Sequence, residues 1–470
     1  MVNKVPVVGP TYEEMLHPWK IKGELRKAAL QKKQEDPLHP LNLYNISWRN
    51  GEDKIGYFIL PPAFTNIKAN IVVMYAKDFP TGSHKVGPTY SVLTEKTVLG
   101  EVNPLVHELV WPSTGNYGVG GAWVSSRMQY RSLVVLPEEM SQERFDLIRQ
   151  YGSKVIATPG CESNVKEIYD KTKELKRNNP EEIRILNQFE EFANYRFHEY
   201  VTGNSMIELV QEEKIGNQEI AAVVLTVGSA GTIASGDRVK RRFPNAKVIA
   251  GEPIQCPTLS LNGYGGHDIQ GIGDKHVTWI HNVMNCDGVV QIDDMDCKLL
   301  LQGITSEEGQ SYFKAQVGEV DWEFIRDKLG ISGIANIIGA IKTAKYYDLK
   351  SGDNIITVAT DALDRYHSVL ENMTALSKQD IHSHYQRIIR YQEPSLFFEG
   401  DRYNRLRWHH LKYYTWVEQQ GKEVAELNNQ MDQYYWKKEA ALVSQMDEKI
   451  KAYRVAHSKE LSQILGVENV

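Results

Sequence analysis

Long apolar runs are missing from this sequence. Its hydrophobic stretches, such as 71–75 and 221–227, are strand-sized and fall far short of the roughly 20 residues a membrane span needs, so no membrane partner is expected. Cysteine is scarce. Cys161, Cys256, Cys286 and Cys297 show no CxxC spacing and no nearby histidine pattern, which argues against a disulfide framework or a zinc site and reads as reduced thiols. A basic surplus is also lacking: 54 Lys and Arg face 60 Asp and Glu, a net charge of −6 that argues against a broad nucleic-acid surface. The opening residues 1–6 carry no signal-peptide apolar core, so a cytoplasmic protein is expected.

What is present is an ordinary globular composition, 41% hydrophobic and 24% charged, over 470 residues. That length predicts two or three compact regions. The first fifty residues are polar and Pro-punctuated and read as an arm with one helix, 20–34. From 56 onward, apolar β-branched runs alternate with helical patterns at the spacing of βαβ units, which predicts parallel sheets. Strands are expected at 56–60, 71–75, 132–137, 154–158, 221–227, 247–253 and 354–360. The stretch 180–200 is charged and aromatic and reads as a surface helix and bridge. After about Ser368 the pattern becomes aromatic and helical with no strand, as expected of an interface for a partner or a second copy.

Four turns stand out. Thr81-Gly82-Ser83-His84-Lys85-Val86-Gly87-Pro88 puts a lysine at the mouth of a small-residue turn between a buried strand and a helix start. A lysine so placed can be desolvated enough to react as an amine, while the turn's N–H groups attract an anion, a combination suited to a Schiff base with a phosphorylated aldehyde. Alone, it reads more readily as a solvated surface lysine. Ser113-Thr114-Gly115-Asn116 exposes hydroxyls, an amide and backbone N–H groups before a helix, fit for a carboxylate or phenolate; a plain helix cap explains it as well. Gly228-Ser229-Ala230-Gly231-Thr232 makes a backbone nest for a phosphate after a buried strand, though it lacks the P-loop lysine and the dinucleotide spacing. The Gly-rich loop 262–273 carries His267 and Asp268, a potential acid or base that reads more simply as a turn cap.

In this order, Ser-x-Lys, Ser-Thr-Gly-Asn, Gly-Ser-Ala-Gly-Thr and a last strand ending in a polar turn, the chain resembles the fold type II pyridoxal-phosphate enzymes: cysteine synthase, threonine synthase and the tryptophan synthase β subunit. Gly251-Glu252-Pro253, Gln270-Gly271-Ile272-Gly273, Gly330-Ile331-Ser332-Gly333 and Asp364-Arg365-Tyr366 extend the likeness, which covers about 56–366. It implies an α/β fold with two parallel-sheet domains and pyridoxal 5′-phosphate between them: 56–88 with 205–367 as the large cofactor domain, 89–204 as the small one, flanked by an arm (1–55) and a helical extension (368–470). It further implies that Lys85 carries the cofactor as an imine and moves the α-proton, that His84 lies near the phosphate, and that Gly228, Ser229, Ala230, Gly231 and Thr232 cradle it. Asn116 would bond the 3′ oxygen, while Ser113, Thr114 and Gly115 would hold the substrate carboxylate.

Where cysteine synthases face the pyridine nitrogen with a serine, this sequence aligns Ala362, leaving Thr360 or Asp361 to take that place. A hydroxyl leaves the nitrogen neutral and favours elimination; a carboxylate keeps it protonated. The Gly-Ser-His-Lys-Val-Gly-Pro context and the aromatic extension look most like the β subunits of 2-amino-4-oxopentanoate thiolase, from bacterial ornithine degradation. That likeness implies coenzyme A as co-substrate, acetyl-CoA and alanine as products, a small α subunit and paired β subunits. The alternative is β-replacement or β-elimination on a serine-, cysteine- or diaminopropionate-type amino acid.

Overall fold

The chain's computed structural model describes residues 5–468 except 114, 162, 163, 319 and 393. Eleven strands among them form two sheets: β1 (Tyr57–Leu60), β2 (Asn70–Tyr75), β3 (Glu108–Pro112), β4 (Arg131–Pro137), β5 (Lys154–Thr158), β6 (Ile183–Ile185), β7 (Ala222–Thr226), β8 (Lys247–Pro253), β9 (Gly288–Ile292), β10 (Asn354–Ala359) and β11 (Phe397–Glu399). The larger sheet has the order β1-β2-β10-β7-β8-β9-β11, the smaller β5-β4-β3-β6. Within the larger sheet β2, β10, β7, β8 and β9 run parallel and only the edge strands β1 and β11 are antiparallel. Every residue of β7 and β10 is buried, as a parallel strand covered on both faces requires, and this explains their near-continuous apolar sequences.

The helix Ile331–Tyr346 lies across the centre of that sheet, its isoleucines buried against β7, β9 and β10. β10 and β7 pair over only two residues. Beyond them Asn336 stitches the diverging ends, accepting from the Thr226 N–H at 2.7 Å and donating to the Val358 carbonyl at 2.7 Å. The opening so created lies at the carboxyl ends of parallel strands, where α/β sheets bind ligands.

Several expectations are corrected. The stretch 180–200 is not a surface bridge: it contributes β6 to the smaller sheet, and Phe189, Tyr195, Phe197, His198 and Glu199 are buried. The buried Glu199 carboxylate is met by Arg238 and Arg241 from the helix Ser235–Arg242, which makes its burial tolerable. The C-terminal region is not free of strands either, since β11 pairs with the edge strand β9. Its tryptophans Trp408, Trp416 and Trp436 point inward, while Tyr391, Tyr403, Tyr414 and Tyr434 are exposed. The N-terminal arm packs on its own chain. The Asp447 carboxylate, on the long helix Gln433–Ala456, accepts from the N–H groups of Tyr12 and Glu13 at 2.7 and 3.1 Å. No helix among the described residues is long and apolar enough to cross a membrane.

Candidate active site

Four loops meet at the opening between the sheets. β2 leads to the lysine turn, β7 to 228–232, β10 to Thr360 and Asp361, and β3 of the smaller sheet to Ser113–Asn116. Their residues wall one cavity of about 520 Å³, lined by His84, Lys85, Ser113, Gly115, Asn116, Gln188, Gly228, Ser229, Ala230, Gly231, Thr232 and Thr360 among others.

The lysine turn is stapled to the end of β10. Ser83 Oγ donates to the Thr360 carbonyl at 2.8 Å, and the His84 N–H reaches the same oxygen at 3.3 Å. Lys85 begins the helix Val86–Val98, which crosses the helix Asn116–Arg127 at Gly120; a Cβ there would stand 2.9 Å from Thr89 Oγ1 and 3.1 Å from the Lys85 carbonyl oxygen. Glycine therefore sets the distance between the lysine and Asn116. Inside the cavity Lys85 Nζ donates to Ser229 Oγ at 3.1 Å.

His84 is buried between Trp48 and His198. Burial, helped by the Lys85 charge, pushes its imidazole down to about 3, so it is neutral at physiological pH. A carbonyl only accepts, so Nδ1 donates to Thr360 at 3.1 Å and Nε2 accepts from the Thr232 hydroxyl at 2.9 Å. The histidine thus aligns the last residue of the phosphate nest and carries no charge to it. Ala230 takes a left-handed φ of 60°, which turns the nest into the helical segment that follows. A Cβ on Gly231 would lie 2.1 Å from Asn194 Oδ1, so only glycine admits that amide beside the nest. Asn194 Nδ2 donates to Ser229 Oγ at 3.2 Å.

The opposite wall differs from expectation in two ways. Ser113 lines the cavity, but its hydroxyl oxygen accepts from the N–H groups of Gly115 and Gly118 at 2.9 and 2.7 Å, so it serves the turn before it can serve a substrate. Thr114 lies outside the described residues. Asn116 gives its amide N–H to Asp361 Oδ2 at 2.6 Å, and its buried Oδ1 has no partner among the described residues. A ring hydroxyl placed beside it would therefore donate to Asn116 Oδ1. Asp361 is absent from the cavity wall. Its Oδ2 also accepts from Tyr366 Oη at 2.8 Å and faces Arg144 at 3.4 Å, both ion-pair side chains fully buried. Thr360 does line the cavity, its hydroxyl 2.6 Å from Ser332 Oγ. Ala362 is fully buried outside that wall.

His267 and Asp268 do not reach the cavity wall. His267 bonds the Gly273 carbonyl at 2.9 Å and the Ile269 N–H at 3.2 Å, as a turn cap, and Asp268 pairs with Lys298. Three contributors were missed by sequence reasoning. Asn194 sits in the stretch misread as surface, and Arg144 in a helix that looks ordinary. Asp274, directly after the quoted Gly-Ile-Gly, is buried with both carboxylate oxygens lacking a hydrogen-bond partner among the described residues. Burial raises its carboxyl to about 7, against the opposing Lys85 charge. The position after that glycine pair was the available signal.

These residues fit a phosphorylated aldehyde. A primary amine enters the cavity beside a nest at a helix start, and Asn116 Oδ1 and Asn194 Oδ1 are polar atoms left for a ligand to satisfy. Known proteins agree. The chain is 30% identical over 303 residues to a cysteine synthase of Staphylococcus aureus, an alignment covering 64% of this chain and 88% of that one. A probable cysteine synthase of Bacillus subtilis is 29% identical over 290 residues, 62% of this chain and 85% of that protein. Among solved structures, a hydrogen sulfide-producing enzyme from Fusobacterium nucleatum superposes with a TM-score of 0.57 at 26% identity, covering 70% of this chain and 91% of that one. Residues 62–310 match the family described as pyridoxal-phosphate dependent enzyme, and the chain belongs to that family, of the cysteine synthase type, with pyridoxal 5′-phosphate as its cofactor.

Proposed function

We propose that the chain acts at the β-carbon of a small amino acid, replacing or eliminating a substituent on a serine-, cysteine- or diaminopropionate-type substrate. The observation that carries this reading is the identity of the cavity wall: of the two residues that could meet the ring nitrogen, Thr360 lines the cavity and Asp361 does not. A hydroxyl leaves the ring nitrogen neutral, and the bound cofactor then supplies an electron sink suited to expelling a β-substituent. The relatives with the name cysteine synthase support the same class.

In this reading Lys85 Nζ holds the cofactor, then takes the substrate's α-proton as the β-substituent leaves with its bonding pair, and returns a proton to Cα after a nucleophile has bonded to Cβ. The nest 228–232 binds the phosphate through its backbone, and His84 fixes the Thr232 hydroxyl. Gly115 and the turn held by Ser113 stand where the substrate carboxylate is received.

A second reading is CoA-dependent cleavage of 2-amino-4-oxopentanoate to acetyl-CoA and alanine, by a β subunit paired with itself and with a small α subunit. It is favoured by the third of the chain outside the alignment with cysteine synthase. Thr415, Gln419 and Gln420 of that region, with Lys166, Lys173, Lys275 and His276, wall a separate surface cavity. Its three lysines are offset by Glu167 and Asp170, the latter paired with Lys166, and the exposed tyrosines 391, 403, 414 and 434 suit a protein partner. Incubation of the loaded chain with O-acetylserine and sulfide, with cysteine, and with 2-amino-4-oxopentanoate and CoA decides between them. Cysteine or sulfide formation supports the first reading. Acetyl-CoA formation without either replaces it by the second.

A further inference from the structure

Three side chains converge on one oxygen behind the wall of the cofactor cavity. Arg144 donates to Tyr366 Oη at 3.1 Å, so the tyrosine keeps its own proton to give, and it gives it to Asp361 Oδ2 at 2.8 Å. The same guanidinium faces Asp361 Oδ2 at 3.4 Å, and a guanidinium only donates. Oδ2 is therefore an acceptor before Asn116 is considered. Burial pushes the Asp361 carboxyl up, while Arg144, Arg365, Asn116 and Tyr366 pull it down. The direction of the bonds is the same in either charge state, because a proton on this carboxyl would sit on Oδ1, which is buried without a partner among the described residues. The Asn116 amide has to meet Oδ2 with its nitrogen, as it does at 2.6 Å, and its oxygen is thereby turned away from Asp361.

Two glycines make room for this cluster. A Cβ on Gly330 would lie 2.1 Å from Asp361 Oδ1, and one on Gly115, whose φ is 143°, would stand 3.2 Å from Arg144 Nε. Arg144 is tied down further by Ser141 Oγ at 2.7 Å and by Gln270 Oε1. Asn116 and Arg144 belong to the helices Asn116–Arg127 and Gln142–Gln150, which follow β3 and β4 of the smaller sheet, whereas Asp361 and Tyr366 follow β10 of the larger one. Of the four, only Asn116 lines the cavity. The carboxylate thus joins the two sides of the opening and reaches the cofactor site through one amide.

We propose that Asp361 is a positioning residue for the cofactor: by holding the Asn116 amide nitrogen it presents the amide oxygen to the cofactor's ring oxygen, and so favours the protonated form of that oxygen. The cofactor joined to a lysine shares one proton between its ring oxygen and the imine nitrogen, and hydrogen bonds from the protein decide the share. An acceptor beside the ring oxygen draws the proton there and leaves the imine uncharged; a donor would send it to the nitrogen. The two forms absorb at different wavelengths, the ring-hydroxyl form at the shorter. Asp361 plays this part in either reaction proposed above, because the sharing is set before a substrate binds.

The test titrates pyridoxal 5′-phosphate into the cofactor-free chain and reads the ratio of the long- to the short-wavelength band. Asp361→Ala frees the Asn116 amide to turn its nitrogen to the ring, and the ratio should rise about fivefold, the worth of one net hydrogen bond. Asp361→Asn keeps an acceptor for Tyr366, Arg144 and Asn116 and should show the wild-type ratio. So should Tyr366→Phe, which loosens the cluster but leaves Asp361 bonded to Asn116. Asn116→Ala removes the amide oxygen and should itself raise the ratio, and it carries the test alone where Asp361→Ala does not fold. Adding Asp361→Ala to Asn116→Ala should then move the ratio by less than about twofold, as expected when one residue acts through the other. An unchanged ratio in Asp361→Ala, an equal shift in Asp361→Asn or Tyr366→Phe, a constant or falling ratio in Asn116→Ala, or a larger shift in the double variant overturns the proposal. Absence of any imine band in the wild type overturns the role of Lys85 itself, and the proposal with it. The ratio is read without substrate, so these outcomes leave the choice between β-replacement and CoA-dependent cleavage untouched.

Discussion

The cofactor cavity and the Lys412 cluster of the C-terminal extension treat buried polar groups in opposite ways. Around the cavity, Asn116 Oδ1, Asn194 Oδ1, Thr226 Oγ1 and both Asp274 oxygens are buried without a partner among the described residues. In the extension, buried Lys412 donates to the carbonyls of Trp279 and His281 at 3.0 and 2.7 Å and to Gln430 Oε1 at 2.7 Å, all three of its donors occupied. Trp416 and Trp436 likewise donate to the carbonyls of Val277 and Gln430, at 2.8 and 2.9 Å. A buried polar group left open is a cost to folding that a ligand can later recover; one that is saturated holds structure. The cavity therefore concentrates chemistry and the Lys412 cluster holds structure, although Trp408 Nε1, both His409 nitrogens and Gln430 Nε2 of the extension are also buried without a partner among the described residues.

The sharpest test of that division is Lys85→Ala. Turnover should fall about 1,000-fold or more, the visible imine absorbance should be lost, and the denaturant midpoint of the cofactor-free chain should hold or rise, because an amine has left a partly buried site. A large drop in stability would erase the contrast. Asp361→Ala probes the seam between the two behaviours. It removes the carboxylate that faces the fully buried Arg144 guanidinium and should cost about 3 kcal/mol in equilibrium urea unfolding, with Asp361→Asn costing less because Tyr366 and Asn116 keep an acceptor.

The strands that deliver the cavity loops were readable because a strand buried on both faces is apolar over most of its length, and β7 and β10 lead directly into small turn residues. What stayed hidden depends on partners far along the chain. Asn116 and Asp361 are 245 residues apart, and their bond decides which amide atom the cavity receives. β6 is three residues inside a charged stretch, made a strand by the edge of β3, and β11 exists because β9 offers it an unpaired edge. Asp274 was harder to see for another reason: lacking a partner is a property of the assembled interior, and only its position after the Gly-Ile-Gly turn marked it in the sequence.

Lys412→Met tests the other side. It removes three hydrogen bonds and leaves the Trp279 carbonyl and the Gln430 amide oxygen without that donor, while the His281 carbonyl keeps the Val283 N–H, so unfolding free energy should fall by about 2 kcal/mol, with tryptophan fluorescence reporting the release of Trp416 and Trp436. Turnover per folded molecule should change less than about threefold, since the lysine is no part of the cavity wall. A loss of turnover at unchanged stability would make the extension a working part of the site.

The smallest effect belongs to Asp447, which joins the extension to the N-terminal arm. Burial raises its carboxyl to about 6, although the Tyr12 and Glu13 N–H groups pull it down. With an unfolded value near about 3.9, the folded state holds the proton more tightly, so this group's contribution to stability is fully present below about pH 4 and is lost as pH rises through 6. Between pH 7 and pH 5 wild type should therefore gain about 1 kcal/mol relative to Asp447→Asn, read as the difference in urea unfolding free energy at the two pH values. The direction separates it from the salt-bridged carboxylate Glu13 nearby, held down at about 2, whose contribution is unchanged over that window and is lost only under stronger acid. A wild-type chain that instead loses stability relative to the variant on going to pH 5 would mean that Asp447 is ionised by design, with the arm held by charge on the helix Tyr12–Leu16, and that the extension too contains a polar group tuned by its partners.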